Sequence, residues 1–485
     1  MPRRDKLAAM FLLCPSRTFK IVNFTFWSLL LLATAALAQS QPGNPNSAMD
    51  QLPSAPGAKV INLTEPGFSN EPAIAVNPKN PEQLVAAWQI NASAAYSRDG
   101  GRNWSKAASA TPKDYKKSGD VSATYGADGA AYLCYIAFDK LGTAYYWGHN
   151  ATRNGVFVRR SPDGGKTWEK TAHPVLEHAT QPGIPFEDKP SIVADATAGP
   201  YSGNLYVGWT QFTLEKTAVL FSRSTDAGAS WSSPIEISTH EGLPRDDNGA
   251  VEGFSGAVAP DGTLYAVWAD GNSIAFTYSR DGGKSFAPSR NVIATGPSYF
   301  PVSGIDGGNG FPQIGLDPRS ALLYVTWSDY RNGDVDIFAA TSANHGESWS
   351  APVRVNSDAL HDGADQFFQW LAVDPKTGAA NVIFYDRRRD PANRQTTVTL
   401  ARSTDGGKTF MNYAWTNEPF EGNKDFIGDY TGIAAFDGRV FGIWSEEAPA
   451  AAPAAAPAPD GDRHGTPHTF VRVGVADFGK EASNH

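Results

Sequence analysis

SPDGGKTW, residues 161–168, sets a hydroxyl, an acid, two glycines and a tryptophan within eight positions. The same spacing returns as SRDGGRNW (97–104), STDAGASW (224–231), SRDGGKSF (279–286), SANHGESW (342–349) and STDGGKTF (403–410). The common pattern is Ser-x-Asp-x-Gly-x-x-Trp/Phe, with Asn344 replacing the acid in the fifth copy. Successive first serines lie 64, 63, 55, 63 and 61 residues apart, a spacing that marks a repeat architecture. Each box has the chemistry of a turn. Glycine reaches backbone angles that cost other residues energy, and a short carboxylate or hydroxyl bonds the turn's own amides. The closing aromatic anchors the turn in an apolar layer. Alternating stretches precede the boxes, as in GVFVRRS (155–161) and TAVLFSRS (217–224), so each box is expected between two strands.

A second repeat lies upstream of most boxes: a strand closing on an aromatic. The terminal residues are Trp88, Tyr135, Trp209, Trp268, Trp327, Phe384 and Trp444, seven against six boxes. Each unit reads as four strands, and four-stranded units repeated radially form a β-propeller. The fold expected is therefore all-β, a propeller of seven blades, with six as the alternative count. The last unit has three strands and no box. KVINLT (59–64) has no other place and is expected to supply the missing strand and close the ring.

Composition agrees. Glycine (47) and proline (34) are abundant, no long amphipathic helical stretch is present, and the net charge of −9 leaves no basic footprint for nucleic acid. At the start, Arg3, Arg4, Lys6, Arg17 and Lys20 precede the apolar run 21–38, which ends Ala-Leu-Ala. This reads as a signal peptide over 1–38, with an uncleaved membrane anchor as the alternative. The mature chain would then have no membrane span and be secreted or periplasmic, keeping Cys134 as a single cysteine without a disulfide partner. Residues 39–57 read as a flexible linker, 58–480 as one propeller domain, and 448–459 as an Ala/Pro-rich loop within it.

Strand order fixes which loops share a face. The boxes lie with the turns joining first and second strands. The long segments 172–190, 237–253, 293–311, 386–396 and 445–468 lie on the other face, where a site belongs. Several first strands begin with an acid: Glu71, Asp120, Asp188, Glu252, Asp365 and Asp429. In a propeller these starts ring the mouth of the central channel. Gathered carboxylates raise one another's pKa and so create a general acid, or they bind a structural divalent cation such as calcium. The plain alternative is solvated acids capping strand ends. Arg331 and Arg387–Arg389 fall on the same face. They suit a carboxylate on a substrate, or else salt bridges to Asp329, Asp386 and Asp390 beside them. The nine histidines show no ligand spacing.

The boxes resemble the Asp-box, or bacterial neuraminidase repeat, of the sialidase superfamily. They cover residues 97–410 and imply a propeller over about 59–478. The resemblance implies a glycan or glycoconjugate partner and glycosidase chemistry: a tyrosine nucleophile with a glutamate partner, an aspartate acid/base, and three arginines on the substrate carboxylate. It implies Tyr430 as nucleophile, Glu252 as its partner and Arg331 as one substrate-binding arginine. A seventh blade would shift the remaining assignments and let Asp188 stand in as acid and Arg387 as a second substrate-binding arginine. This sequence departs from the family pattern where Arg-Ile-Pro reads Asn70-Glu71-Pro72. The departure keeps a second reading open, a non-catalytic propeller that binds polysaccharide or protein.

Overall fold

The computed structural model describes residues 52–89, 91–107, 114–422, 426–448 and 469–479. The signal peptide read over 1–38 and nearly all of the Ala/Pro-rich loop lie outside them. The described residues form seven antiparallel blades. Their first strands are Asn70–Val76, Lys117–Tyr125, Phe186–Ala194, Val251–Val258, Gln313–Asp317, Gln366–Val373 and Gly432–Phe436, taken here as blades one to seven. Second strands follow across short turns, for example Leu205–Phe212 in blade three and Leu322–Asp329 in blade five. The seven repeated aromatics all lie in these second strands, and all are buried.

Blade seven takes its fourth strand from the other end of the chain. Lys59–Asn62 pairs antiparallel with Thr469–Asp477, Lys59 opposite Val475 and Asn62 opposite Arg472. The linker expectation needs correcting at its end. Ala55 is buried and bonds Ala414 through its amide at 3.1 Å, and Pro53 and Pro56 accept amides from Ala414 and Asp477. Two prolines cannot donate, but their carbonyls are free to accept, and this lets the stretch lie along blades six and seven.

The boxes fold as one repeated turn. In the fourth box Ser279 Oγ donates to Asp281 Oδ1 at 2.8 Å and accepts the Gly283 amide at 2.9 Å; Asp281 Oδ1 accepts the Ser285 amide at 3.0 Å. The fifth box repeats this with Asn344, which accepts from Ser342 at 2.9 Å and from the Ser348 amide at 3.0 Å. The second glycine does more than turn the chain. Gly346 has φ +85°, and a Cβ there would lie 2.2 Å from the Phe276 ring of blade four; Gly283 meets Phe221 of blade three in the same way. Glycine is thus required both for the angle and for the approach of one blade to the last. The box rings pack among buried residues: Trp231 against the cluster of Tyr132, Val207 and Trp209, and Trp349 against that of Phe276 and Trp327. The boxes therefore fasten blades together, away from the channel mouth at the start of each first strand.

Candidate functional site at the channel mouth

Five first strands carry the same irregularity. In blades one, two, three, four and six the register slips so that two residues oppose one, and the one is the repeated aromatic: Trp88, Tyr135, Trp209, Trp268 or Phe384. The first bulged residue is left-handed: Glu71 (φ 48°), Asp120 (48°), Lys189 (47°), Gly253 (80°) and Phe368 (52°). Such angles are uncommon outside glycine and asparagine and are held by surrounding structure. A bulge re-aims the side chains beside it. Here it gathers residues from separate blades at one end of the channel.

The group comprises Glu71, Asp120, Asp188, Lys189, Glu252, Asp429 and Tyr430, joined by Asp246 and Tyr299 from long loops. Glu71 and Glu252 are 2% and 3% exposed and Tyr430 is 6% exposed, while Asp120, Asp188, Lys189, Asp246, Tyr299 and Asp429 are partly exposed. Burial first, and then the charge of Asp120, hold Glu71 and Asp188 well above the ordinary carboxylate range. Each also shares a hydrogen bond with Asp120, an arrangement that two acids adopt when one keeps a proton. Burial and the neighbouring Asp246 do the same to Glu252. The Tyr299 hydroxyl lies 2.5 Å from Asp246 Oδ1 and 2.6 Å from Glu252 Oε2. A phenol donates only one proton, so the second short contact requires a proton on a carboxyl.

Tyr430 has its phenol pushed far up by burial, then by Glu71 and Asp120. The Lys189 ammonium stands over two rings, 4.0 Å from the centroid of Tyr430 and 4.7 Å from that of Phe311. It offsets the acids in part, acting on Glu71, Asp246 and Glu252. A hairpin, Tyr299–Val302 with Ile305–Asn309, positions Tyr299. It is tied by Asn248, whose Oδ1 accepts the Tyr299 amide at 2.8 Å, and by Asn309, whose Nδ2 donates to the Asp429 carbonyl at 2.8 Å. Its apolar side, Phe300, Val302 and Ile305, packs with Phe367, Phe368 and Ile427.

Three of the five site residues expected from sequence thus come to one place: Asp188, Glu252 and Tyr430. The phenol that touches Glu252 is Tyr299, a loop residue that nothing in the sequence pattern singled out. The two arginines are engaged elsewhere. Arg331 chelates Asp329, with Nε 2.8 Å from Oδ1, donates to the Ala294 carbonyl at 2.9 Å and covers the Phe338 ring. Arg387 is fully buried; it donates to Thr396 Oγ1 at 3.0 Å and to the Asn393 carbonyl at 2.8 Å, and burial lowers it to about 10. Asp386 pairs with Arg388 instead. Arg331 therefore follows the salt-bridge alternative, whereas Arg387 pairs with neither Asp386 nor Asp390 and is held by a hydroxyl and a backbone carbonyl. Among the described residues no group of three or more His, Cys, Asp or Glu side chains is arranged to hold a metal ion, so the cation reading of the acids has no ligand set. Among the same residues no helix is long and apolar enough to cross a membrane.

A profile of the BNR/Asp-box repeat matches residues 95–106. A sialidase from Bacteroides fragilis (strain YCH46) is 26% identical over 323 residues, which are 61% of this chain and 54% of the relative. The chain therefore spans about half the length of that relative. Among solved structures, the phage phi92 endosialidase superposes with a TM-score of 0.50 at 12% identity, over 87% of this chain and 69% of the other. The Hadza microbial sialidase Hz136 gives a TM-score of 0.45 at 15% identity, over 75% and 71%. Six Asp-box turns on a seven-bladed propeller, the repeat match and the sialidase relative together make this chain similar to the Asp-box β-propellers of the sialidase superfamily.

Proposed function

We propose that the protein is an exported glycoside hydrolase of sialidase-like type that works at the acid-lined mouth. The observation that carries this reading is the convergence there of proton-sharing carboxyls from blades one, two and three with the Glu252–Tyr299–Asp246 group and Tyr430. A carboxyl pushed above its ordinary range is what a glycosidase needs for its acid. Asp188 is the proposed acid, giving its proton to the leaving oxygen as the glycosidic bond breaks. Tyr430 is the proposed nucleophile, and Glu252 with Tyr299 the proton partner. Exposed Tyr145, Leu214, Leu243, Tyr330 and Leu360 all lie on this face and offer apolar contact to sugar rings. The sialidase relative supports glycans as the partner class. Export rests on the leader read over residues 1–38.

The test is turnover of a panel of fluorogenic glycosides by the purified chain. Cleavage of at least one member is expected, with loss of about 10²-fold or more in Asp188→Asn and in Tyr430→Phe. A second reading, a glycan-binding propeller without catalysis, is favoured by one observation: Arg331 and Arg387 are held by internal partners. Binding without turnover on every member decides for it.

A further inference from the structure

We propose that a glycan seated in the mouth continues into a groove between blades two and three, so that the protein takes oligosaccharide chains and not single sugar units. This rests on the mouth being the glycan site and adds the length of what enters it.

The groove measures about 600 Å³, within the roughly 300–1,000 Å³ of small-ligand clefts. Three segments of the mouth face form it. The loop between the second and third strands of blade two gives Gly148, Asn150 and Ala151. The link from blade two to blade three gives residues 180–183, and the loop after Leu205–Phe212 gives Leu214. The loops of the two blades meet backbone to backbone: Gly148 is buried, and a Cβ there would lie 2.7 Å from the Thr213 carbonyl oxygen. Leu214, 49% exposed, is the apolar side. Gly183 keeps the space before it open, because a Cβ there would stand 4.0 Å from Leu214 Cδ1. Asn150, Thr180 and Gln181 are the polar side. Thr180 Oγ1 accepts the Arg153 amide at 3.0 Å and keeps its own proton to give, while Gln181 is exposed with both ends of its amide unengaged among the described residues. Among the same residues no charged side chain lines the groove, so what it holds, it holds through hydroxyls and apolar faces. Groups that both donate and accept, set beside an aliphatic side chain, match a sugar ring, with hydroxyls at its edge and C–H groups on its faces.

The second ground is that groove and mouth share a wall. In the blade two loop, the Tyr145 carbonyl accepts the amide of Asp246, a mouth residue, at 2.7 Å, and Arg245 covers the Tyr146 ring at 5.3 Å. Gly148, two residues further on, already lines the groove. On the other side, Gly183 lies five residues before Asp188, at most about 18 Å of extended chain. Tyr145 is 51% exposed on this wall and offers its ring to a sugar that crosses from one to the other.

The test is equilibrium binding of the full chain to matched pairs, each a methyl glycoside and a tetrasaccharide ending in the same non-reducing unit, with sialic acid, glucuronic acid, arabinofuranose or galactose as that unit. Pairs that the wild type cleaves are measured in Asp188→Asn. In at least one pair the tetrasaccharide is expected to bind at least about tenfold more tightly, a difference of about 1.4 kcal/mol. Gln181→Ala combined with Leu214→Ala should bring it to within about threefold of the glycoside and leave the glycoside unchanged; both side chains are exposed, so neither change opens the core. Leu360→Ala, 59% exposed on the same face but outside the groove, should change neither member. Equal binding of the two members in every pair overturns the proposal, as does a loss that the double variant inflicts on both members or that Leu360→Ala reproduces. Turnover on the same pairs separates it from the hydrolase reading. Preference for the tetrasaccharide without cleavage upholds the groove and sinks hydrolysis. Cleavage with the same KM for both members does the reverse. Binding to no pair overturns both.

Discussion

At the scale of a residue, Asp281 shows how the boxes are held and what acid does to them. A small burial penalty is outweighed by hydrogen bonds from Ser285, Ser279 and the Lys284 amide, which pull its carboxyl down to about 2. A carboxylate depressed in the folded state contributes stability above its unfolded pKa, near 4, and loses it as pH falls toward 2. Asp99, Asp163, Asp226 and Asp405 are depressed in the same way, so melting temperature is expected to fall across pH 4 to 2, followed by calorimetry. The Asn344 box makes the same turn with an amide, which does not titrate. Asp281→Asn should therefore cost less than about 1 kcal/mol, while Asp281→Ala, which strands the Ser285 amide, costs about 1–3 kcal/mol. Equal losses in urea denaturation would show that the carboxyl's charge, and not its shape, holds the turn. Gly346 supplies a steric counterpart. Gly346→Ala sets a methyl into the Phe276 ring at a left-handed angle and should cost more than about 2 kcal/mol in the same measurement.

At the scale of an element, the bulged first strands trade stability for a site. Burial and the neighbouring Asp120 push the carboxyls of Glu71 and Asp188 well above their range in the unfolded chain. A carboxyl whose folded pKa is raised favours the folded state least once pH passes both values. This part of the stability is complete below about pH 4 and declines as pH rises toward the folded pKa. Glu71→Gln, which mimics the protonated acid, should flatten the decline and leave the protein as stable or more so at pH 8, read by thermal melts at pH 5 and pH 8. A steeper decline in the variant would mean that Glu71 is ionised in the fold. The strand-start acids were legible in the sequence because each begins a first strand beside a proline or aromatic. Their pairing was not. It depends on a two-for-one slip opposite Trp88, Tyr135 and Trp209 and on left-handed angles at Glu71, Asp120 and Lys189. Asp246 and Tyr299 were hidden for a different reason. They come from long loops, and only the hairpin tied by Asn248 and Asn309 brings Tyr299 to Glu252. The arginines were legible only as a pair of alternatives. For Arg331 the sequence left a substrate anion and Asp329 both open, and Asp329 is its partner, while Arg387 turned into the blade and left Asp386 to Arg388.

At the scale of the whole molecule, seven blades must close, and closure here falls to a four-residue strand. The count of seven aromatics against six boxes already implied it, because the last unit lacked a strand and KVINLT lacked a place. In the fold, Lys59–Asn62 covers the outer edge of Thr469–Asp477. The contact continues past the strand. The Leu63 amide donates to the Val471 carbonyl at 2.8 Å, Thr64 Oγ1 accepts the Val471 amide at 3.0 Å, and Leu63 joins the core of Ile74, Trp88 and Phe441. Without the strand, the edge of Thr469–Asp477 would be open, and an open edge invites pairing with another chain. A chain beginning at residue 65 is therefore expected to melt several degrees below one beginning at residue 52, and to associate at concentrations where the longer chain is monomeric. Adding a peptide of residues 52–64 should raise the melting temperature of the shorter chain in proportion to the logarithm of peptide concentration once it saturates, as linkage requires of a ligand that binds only the folded state. The mouth reports on the same closure, because Glu71 begins blade one and Asp429 and Tyr430 enter blade seven, the two blades whose shared core Leu63 joins. If glycoside turnover is found, the shorter chain should lose it and the peptide should restore it. Restoration of melting without restoration of turnover would mean that the strand seals the ring but does not set the spacing of the acids.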